Sequence, residues 1–311
     1  MKAATRSGLL LFVLLGATWG SSYSFIKVCL RGLSPGQLVL ARLVLGAAVL
    51  LAVLAARRTA LPAGAGVWAH IIVAAALGLV APFLLLAWGE RYTSAAMAGV
   101  LIAAFPLMTL AATALLLPAE RAGWRQTAGI VGGFAGVMLV MSPWHTGTGS
   151  LRGQLAVLGA AACYAAQIVY VRRFLSHRAI AALPMTAASL LAAAVLQAAV
   201  TLLTPWHAPS IGPQVEVSIL GLGVLGTGLA YVLYFRLINE LGATTASAVN
   251  YLEAVVALLV STVVLGDRIT WNMVAGIAVV LASLAMAEER FARVLSRRTA
   301  AEPVSEPVSP R

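Results

Sequence analysis

Charge is what this chain has least of. Only 10% of its 311 residues are Asp, Glu, Lys or Arg, whereas 61% are hydrophobic. An ordinary soluble domain carries about 25% charged residues, so a fully water-solvated surface is excluded. Acidic residues are the scarcer sign, 10 against 21 Lys and Arg, which leaves a net charge of +11. Cysteine is nearly absent. Cys29 and Cys163 make no disulfide framework and read as small packing residues. The four histidines, His70, His145, His177 and His207, are expected at or beyond helix ends. There is no His-Glu-x-x-His metal pattern and no Ser–His pair inside an apolar run. Gly266-Asp267 has the look of an aspartyl intramembrane protease fragment, but no second aspartate lies within an apolar run. The glycine-rich stretches lie inside apolar segments rather than at strand-to-helix turns, so no phosphate-cradling loop and no primary pump is encoded. No metal and no cofactor is expected.

What the chain has in abundance is apolar length. Runs near 8–28, 35–56, 67–88, 93–117, 124–142, 151–171, 181–203, 215–236, 243–265 and 271–287 each approach the roughly 20 residues that cross a bilayer as a helix. The fold class predicted is therefore an all-α integral membrane protein of ten transmembrane helices. Residues 1–7 form a short N-terminus. Residues 288–311, with Glu302-Pro303-Val304-Ser305 echoed by Glu306-Pro307-Val308-Ser309, read as a disordered tail. The first run follows Lys2 and Arg6 as a secretory leader would, but it continues past Trp19 to Lys27 and matches a later internal segment, so it reads as a helix of the mature chain.

Strong positive charge can mark a nucleic-acid binder. Here its placement says otherwise. With the N-terminus in the cytoplasm, fifteen Lys and Arg fall at cytoplasmic helix ends, among them Arg57, Arg58, Arg172, Arg173 and Arg178. Five fall at the outer ends: Lys27, Arg31, Arg91, Arg152 and Arg268. That asymmetry follows the positive-inside rule and predicts both termini in the cytoplasm. The partners expected are the lipid bilayer and a small-molecule substrate, with protons as a further candidate and no nucleic acid.

The second five stretches repeat the first five. Trp19 aligns with Tyr164, Lys27 with Arg172, Leu30 with Leu175, Trp124 with Trp271 and Gly129 with Gly276, at an offset held between 145 and 149. The repeats run 8–142 and 151–287. Five is odd, so the second unit enters the membrane from the opposite side, and the repeats are inverted. Such pairs support alternating access around a midplane site.

Several local features keep a characteristic order: Trp19-Gly20-Ser21-Ser22 in helix 1, Pro35 and Arg42 in helix 2, Pro106 and an apolar run to Glu120 in helix 4, and Tyr251-Leu252-Glu253-Ala254 with an apolar run to Gly266-Asp267 in helix 9. Both fifth helices are glycine-rich and follow an acidic residue. This arrangement resembles the drug/metabolite transporter superfamily, in its EamA-type branch, over residues 8 to about 287. The resemblance implies ten helices, the inner membrane, and export of small metabolites such as amino acids, or of drugs. Two departures stand out. Ala254 occupies the place of a usual proline, and helix 4 ends on Pro118-Ala119-Glu120, one residue longer than the usual glycine-glutamate.

Two charged side chains fall well inside the runs, Arg42 and Glu253. Each costs about 2.5–3.5 kcal/mol on insertion scales and calls for a reason. Glu253 lies ten residues, about 15 Å, into helix 9. Desolvation holds a carboxyl there in its neutral form, so it could ferry a proton, pair with an amino-bearing substrate, or tie two helices by a hydrogen bond. Arg42 lies about 10 Å into helix 2 and could clamp a carboxylate bidentately or snorkel outward. Trp19, Ser22, Tyr164, Gln167, Tyr231, Tyr234 and Asn250 supply the aromatics and scattered polar groups of a small-molecule pocket, or glue between helices. Glu120 and Asp267 are expected to cap helix starts or to pair with Arg121 and Arg268. Trp88, Trp124 and Trp271 are expected to anchor at the membrane boundary. The predicted activity is secondary transport, by proton antiport through Glu253 or as an uncoupled facilitator. A membrane enzyme or a receptor leaves the repeat unexplained.

Overall fold

The computed structural model describes residues 6–116, 123–142, 150–178, 180–204, 208–242, 246 and 248–299, with the side chains of 125 and of 288–299 outside that description. We number the long helical stretches in chain order. They are α1 Arg6–Cys29, α2 Pro35–Ala56, α3 Ala65–Glu90, α4 Ala95–Leu116, α5 Trp124–Met141, α6 Leu151–Phe174, α7 Ala182–Leu202, α8 Pro213–Leu241, α9 Val249–Leu265 and α10 Trp271–Thr299. Seven of them, α1 to α4 and α6 to α8, are long and apolar enough to cross a membrane, and α5, α9 and the apolar part of α10 are shorter. No strand occurs among the described residues. α10 continues past residue 287, where the sequence predicts a tail to begin, on to Thr299. The stretch is rich in Arg and Glu, both good helix formers, and meets no helix breaker before Pro303. Residues 300–311, Glu120, Arg121, His145 and His207 lie outside the described residues.

Local chemistry sets the ends. Ser34 and Gln37 form a reciprocal capping box at the start of α2, with Pro35 at the first helical position, where its missing N–H costs nothing. Ser94 Oγ accepts the Met97 N–H to start α4. Gly266, at φ 71°, closes α9 in a left-handed turn that suits glycine. α4 breaks at Ala103–Ala104 between its segments Ala95–Ile102 and Phe105–Leu116. Pro106 follows, and its ring cannot pack against the carbonyl four residues back in an unbroken helix. Two helices are widened by π turns, α3 at Ala76–Val80 and α8 at Gly221–Leu229. The two π segments begin 145 residues apart.

The packing interleaves the two repeats. α1 packs closely with α9 and α8, and α2 joins them along the π segment of α8. Correspondingly, α6 packs with α4 and α3, and α7 joins them along α3. The two groups meet where α2 lies on α7 and α4 on α9, while α5 and α10 pair beside them. The α5–α10 crossing depends on missing side chains. A Cβ on Gly136 would stand 3.0 Å from the Gly276 carbonyl oxygen, and one on Gly276 would stand 2.8 Å from the Gly136 carbonyl oxygen. Trp124 and Trp271 open these two helices, and both are exposed.

Contacts sort the helix ends into two faces. On the near face, Ser7 Oγ donates to Glu240, and His70 meets Tyr170 and Phe174. On the far face, the Ser210 N–H donates to the Gly32 carbonyl and the Ser150 N–H to the Tyr92 carbonyl. His70, expected at or beyond a helix end, sits inside the first turns of α3, its Nδ1 2.8 Å from the Tyr170 hydroxyl and its ring stacked on Phe174.

Candidate functional site

A cavity of about 410 Å3 opens between the two helix groups. All nine candidate residues line it: Trp19, Ser22, Arg42, Tyr164, Gln167, Tyr231, Tyr234, Asn250 and Glu253. The lining runs from Ala182, the first residue of α7 at the near face, to Ile26 and Leu86 toward the far face.

The two π segments shape its walls symmetrically. A Cβ on Gly226, in the α8 segment, would lie 2.9 Å from Ser22 Oγ on α1. A Cβ on Gly78, in the α3 segment, would lie 2.6 Å from Gln167 Cγ on α6. Ser22 and Gln167 stand 145 residues apart and the two glycines 148, within the repeat offset. Each π turn thus presents a bare backbone patch to the matching residue of the other repeat.

Arg42 does not snorkel outward. It is buried at 7% exposure. Its Nε donates to Thr227 Oγ1 at 2.8 Å, and its Cζ lies 3.8 Å from the centroid of the Phe83 ring. Thr227 in turn donates to the Leu222 carbonyl, five residues back, which the π geometry leaves within reach. One edge of the guanidinium is thereby fixed by α8 and one face by α3, a stacking and hydrogen-bonding arrangement that lysine could not reproduce.

Glu253 lies only five residues into α9, because that helix starts at Val249. It is nonetheless deep. Tyr23 on α1 donates its hydroxyl to Glu253 Oε1 at 2.6 Å, and a Cβ on Gly20 would stand 2.7 Å from the Glu253 carbonyl oxygen. These α1 residues lie roughly 9–14 Å from the far end of their helix at 1.5 Å per residue. The wall between the two charges is aromatic. Trp19 lies 5.4 Å from Tyr234 and 6.4 Å from Tyr231, and its repeat partner Tyr164 lies 5.6 Å from Phe105. The arrangement offers one cation and one carboxyl to a molecule whose body can lie against rings.

Five residues that are not among the site candidates read from the sequence complete the region: Tyr23, Lys27, Phe83, Glu90 and Thr227. Glu90 is the most consequential. It is the last residue of α3, 0% exposed, and neither carboxylate oxygen has a hydrogen-bond partner among the described residues. The signal that could have found it is an acid at the end of an apolar run. Asp267 caps a helix start as expected, but not that of its own α10, and its partner is not Arg268. Its Oδ2 accepts the Ala96 N–H at the start of α4, 3.0 Å away. Among the described residues, no group of three or more His, Cys, Asp or Glu is placed to hold a metal ion.

Comparison with known proteins gives this geometry a family. The EamA-like transporter family matches twice, over residues 6–142 and 151–287. The chain belongs to that family and is a multi-pass membrane protein of transporter type. It is 24% identical to the uncharacterized transporter YvbV of Bacillus subtilis, over 91% of each chain. It is 27% identical to the uncharacterized transporter YcxC of the same organism, over 61% of this chain and 63% of the relative's length. A protein of Streptantibioticus cattleyicolor named "Probable terminal-alkyne amino-acid exporter" is 28% identical over 82% of this chain and 84% of its own. A solved crystal structure at 22% identity superposes with a TM-score of 0.64, covering 95% of this chain and 100% of that one, a likeness of fold.

Proposed function

We propose that the protein is a secondary transporter of small organic molecules carrying both an amino and an acidic group. It works as an exporter, by alternating access between two inverted repeats in the inner membrane, with both termini in the cytoplasm. The observation that carries this reading is the placement of Arg42 and Glu253 on the walls of one aromatic cavity, which the two matched π segments also line. Helix contacts support the inverted repeat. Exchanging α1–α5 for α6–α10 turns the α1–α9 packing into α6–α4 and the α2–α8 packing into α7–α3, and both members of each pair are present. The name of the Streptantibioticus relative agrees with export of an amino acid.

In this reading the cavity faces the cytoplasm, binds substrate there, and releases it outside once the groups rock about the α2–α7 and α4–α9 seams. Glu253 couples the cycle to protons, holding its proton in one state and losing it in the other. The competing role is a tie, with Tyr23 and Glu253 simply joining α1 to α9. Proteoliposomes loaded with a panel of amino acids and related zwitterions test the proposal. Efflux that responds to an imposed pH gradient, and loses that response in Glu253→Gln, supports coupling. Efflux without pH response describes a facilitator. No flux of any panel member from folded protein sinks the reading.

A further inference from the structure

Toward the far face, beyond the residues that line the cavity, a tie joins α1 to the turn between α3 and α4. Lys27, on α1, donates its ammonium to the carbonyl oxygens of Glu90 and Thr93, the latter at 2.7 Å. Those carbonyls sit at the C-terminal end of α3 and in the turn into α4, where a helix leaves its last acceptors unpaired and its dipole favours a cation. α1 packs with α8 and α9, whereas α3 and α4 pack with α6. The tie therefore crosses between the two helix groups. Behind it lies the Glu90 carboxyl group, wholly buried and without a hydrogen-bond partner among the described residues. The Thr93 hydroxyl beside it is buried and unpartnered in the same sense. Asp267, holding the Ala96 amide, bridges the same two groups at the same face.

We propose that Lys27 is the latch that holds the far end closed, its ammonium seated on the last carbonyls of α3 and of the turn into α4. The latch rests on the alternating-access reading above.

The test needs no substrate. Cys29 and Cys163 are replaced by Ala, and Ser22→Cys supplies a single thiol in the cavity. A membrane-impermeant maleimide is applied to right-side-out and to inside-out vesicles, with a Thr204→Cys chain marking the far face. Labelling from the near face and slow labelling from the far face are expected with the latch intact. Lys27→Met is expected to raise far-face labelling at least tenfold, and Arg172→Met, at the near face, not at all. Folding is checked by size-exclusion chromatography and thermal unfolding, and Lys27→Arg, which keeps the charge, covers a Lys27→Met chain that fails to fold by restoring the slow rate. Unchanged far-face labelling in folded Lys27→Met overturns the latch and leaves alternating access standing, provided near-face labelling persists. An equal rise in Arg172→Met means general loosening and also overturns it. A thiol that neither face can reach removes both readings.

Discussion

At the scale of single residues, the cavity is defined by two costly groups and what each is bound to. Arg42 is committed through Nε to Thr227 and through its face to Phe83, which leaves its outer N–H groups to meet a substrate carboxylate in a planar fork. Arg42→Lys keeps the charge but loses the stack and the fork. Transport in that variant should fall at least tenfold at unchanged protein level, read as initial flux in proteoliposomes. A transport rate within twofold of the parent would mean the guanidinium serves packing alone. Glu253 accepts from Tyr23 at 2.6 Å. Tyr23→Phe withdraws that donor from a half-buried acceptor on the cavity wall, a loss of about 0.5–1.5 kcal/mol. The unfolding temperature in detergent should drop accordingly. Addition of substrate should then recover more stability in Tyr23→Phe than in the parent if the freed carboxyl is what the ligand binds.

At the scale of elements, glycine placement is decisive where helices approach backbone to backbone. Gly136 faces Gly276 across α5 and α10, and a Cβ there would also lie 2.9 Å from Val280 Cγ2. Gly136→Val should cost about 1–3 kcal/mol through overpacking. Gly66, near the start of α3, is the opposite case, since a Cβ there would meet nothing within 4 Å. Gly66→Ala should raise stability by up to about 1 kcal/mol through helix propensity. Thermal unfolding of the two variants side by side checks the contrast. The same elements show what can be read without a structure. Helix positions are legible because apolar length and caps such as Ser34–Gln37 are local. The pairing of Trp19 with Tyr164 is legible because it follows from an offset. The π segments are not, since Thr227 holds the Leu222 carbonyl only in a helix already widened against α2. Tyr23 and Glu90 escape notice for a related reason. A tyrosine among serines and an acid at a helix end look ordinary until folding places one on Glu253 and seals the other behind Lys27.

At the scale of the whole molecule, orientation decides what the cavity is for. The near face gathers Arg6, Arg57, Arg58, Arg172, Arg173, Arg178 and Arg236 among the residues with described side chains, and the far face holds Lys27, Arg31, Arg91, Arg152 and Arg268. Lys27 is spent on the carbonyls of Glu90 and Thr93, so the far face presents less positive charge to solvent than the bare count suggests. Each cation carried across a bilayer against the positive-inside bias is disfavoured during insertion, and the near face should therefore be cytoplasmic. Thr59 is exposed in the α2–α3 link on that face, and Thr204 is exposed just beyond α7 on the other. In a chain without native cysteines, Thr59→Cys should react with an impermeant maleimide only after cells are opened, and Thr204→Cys should react in intact cells. With that result the open cavity collects its ligand from the cytoplasm, and the matched repeats carry it out. The reverse pattern would make the same cavity a receiver of external solute, and the proposed direction of transport would have to be abandoned along with the orientation.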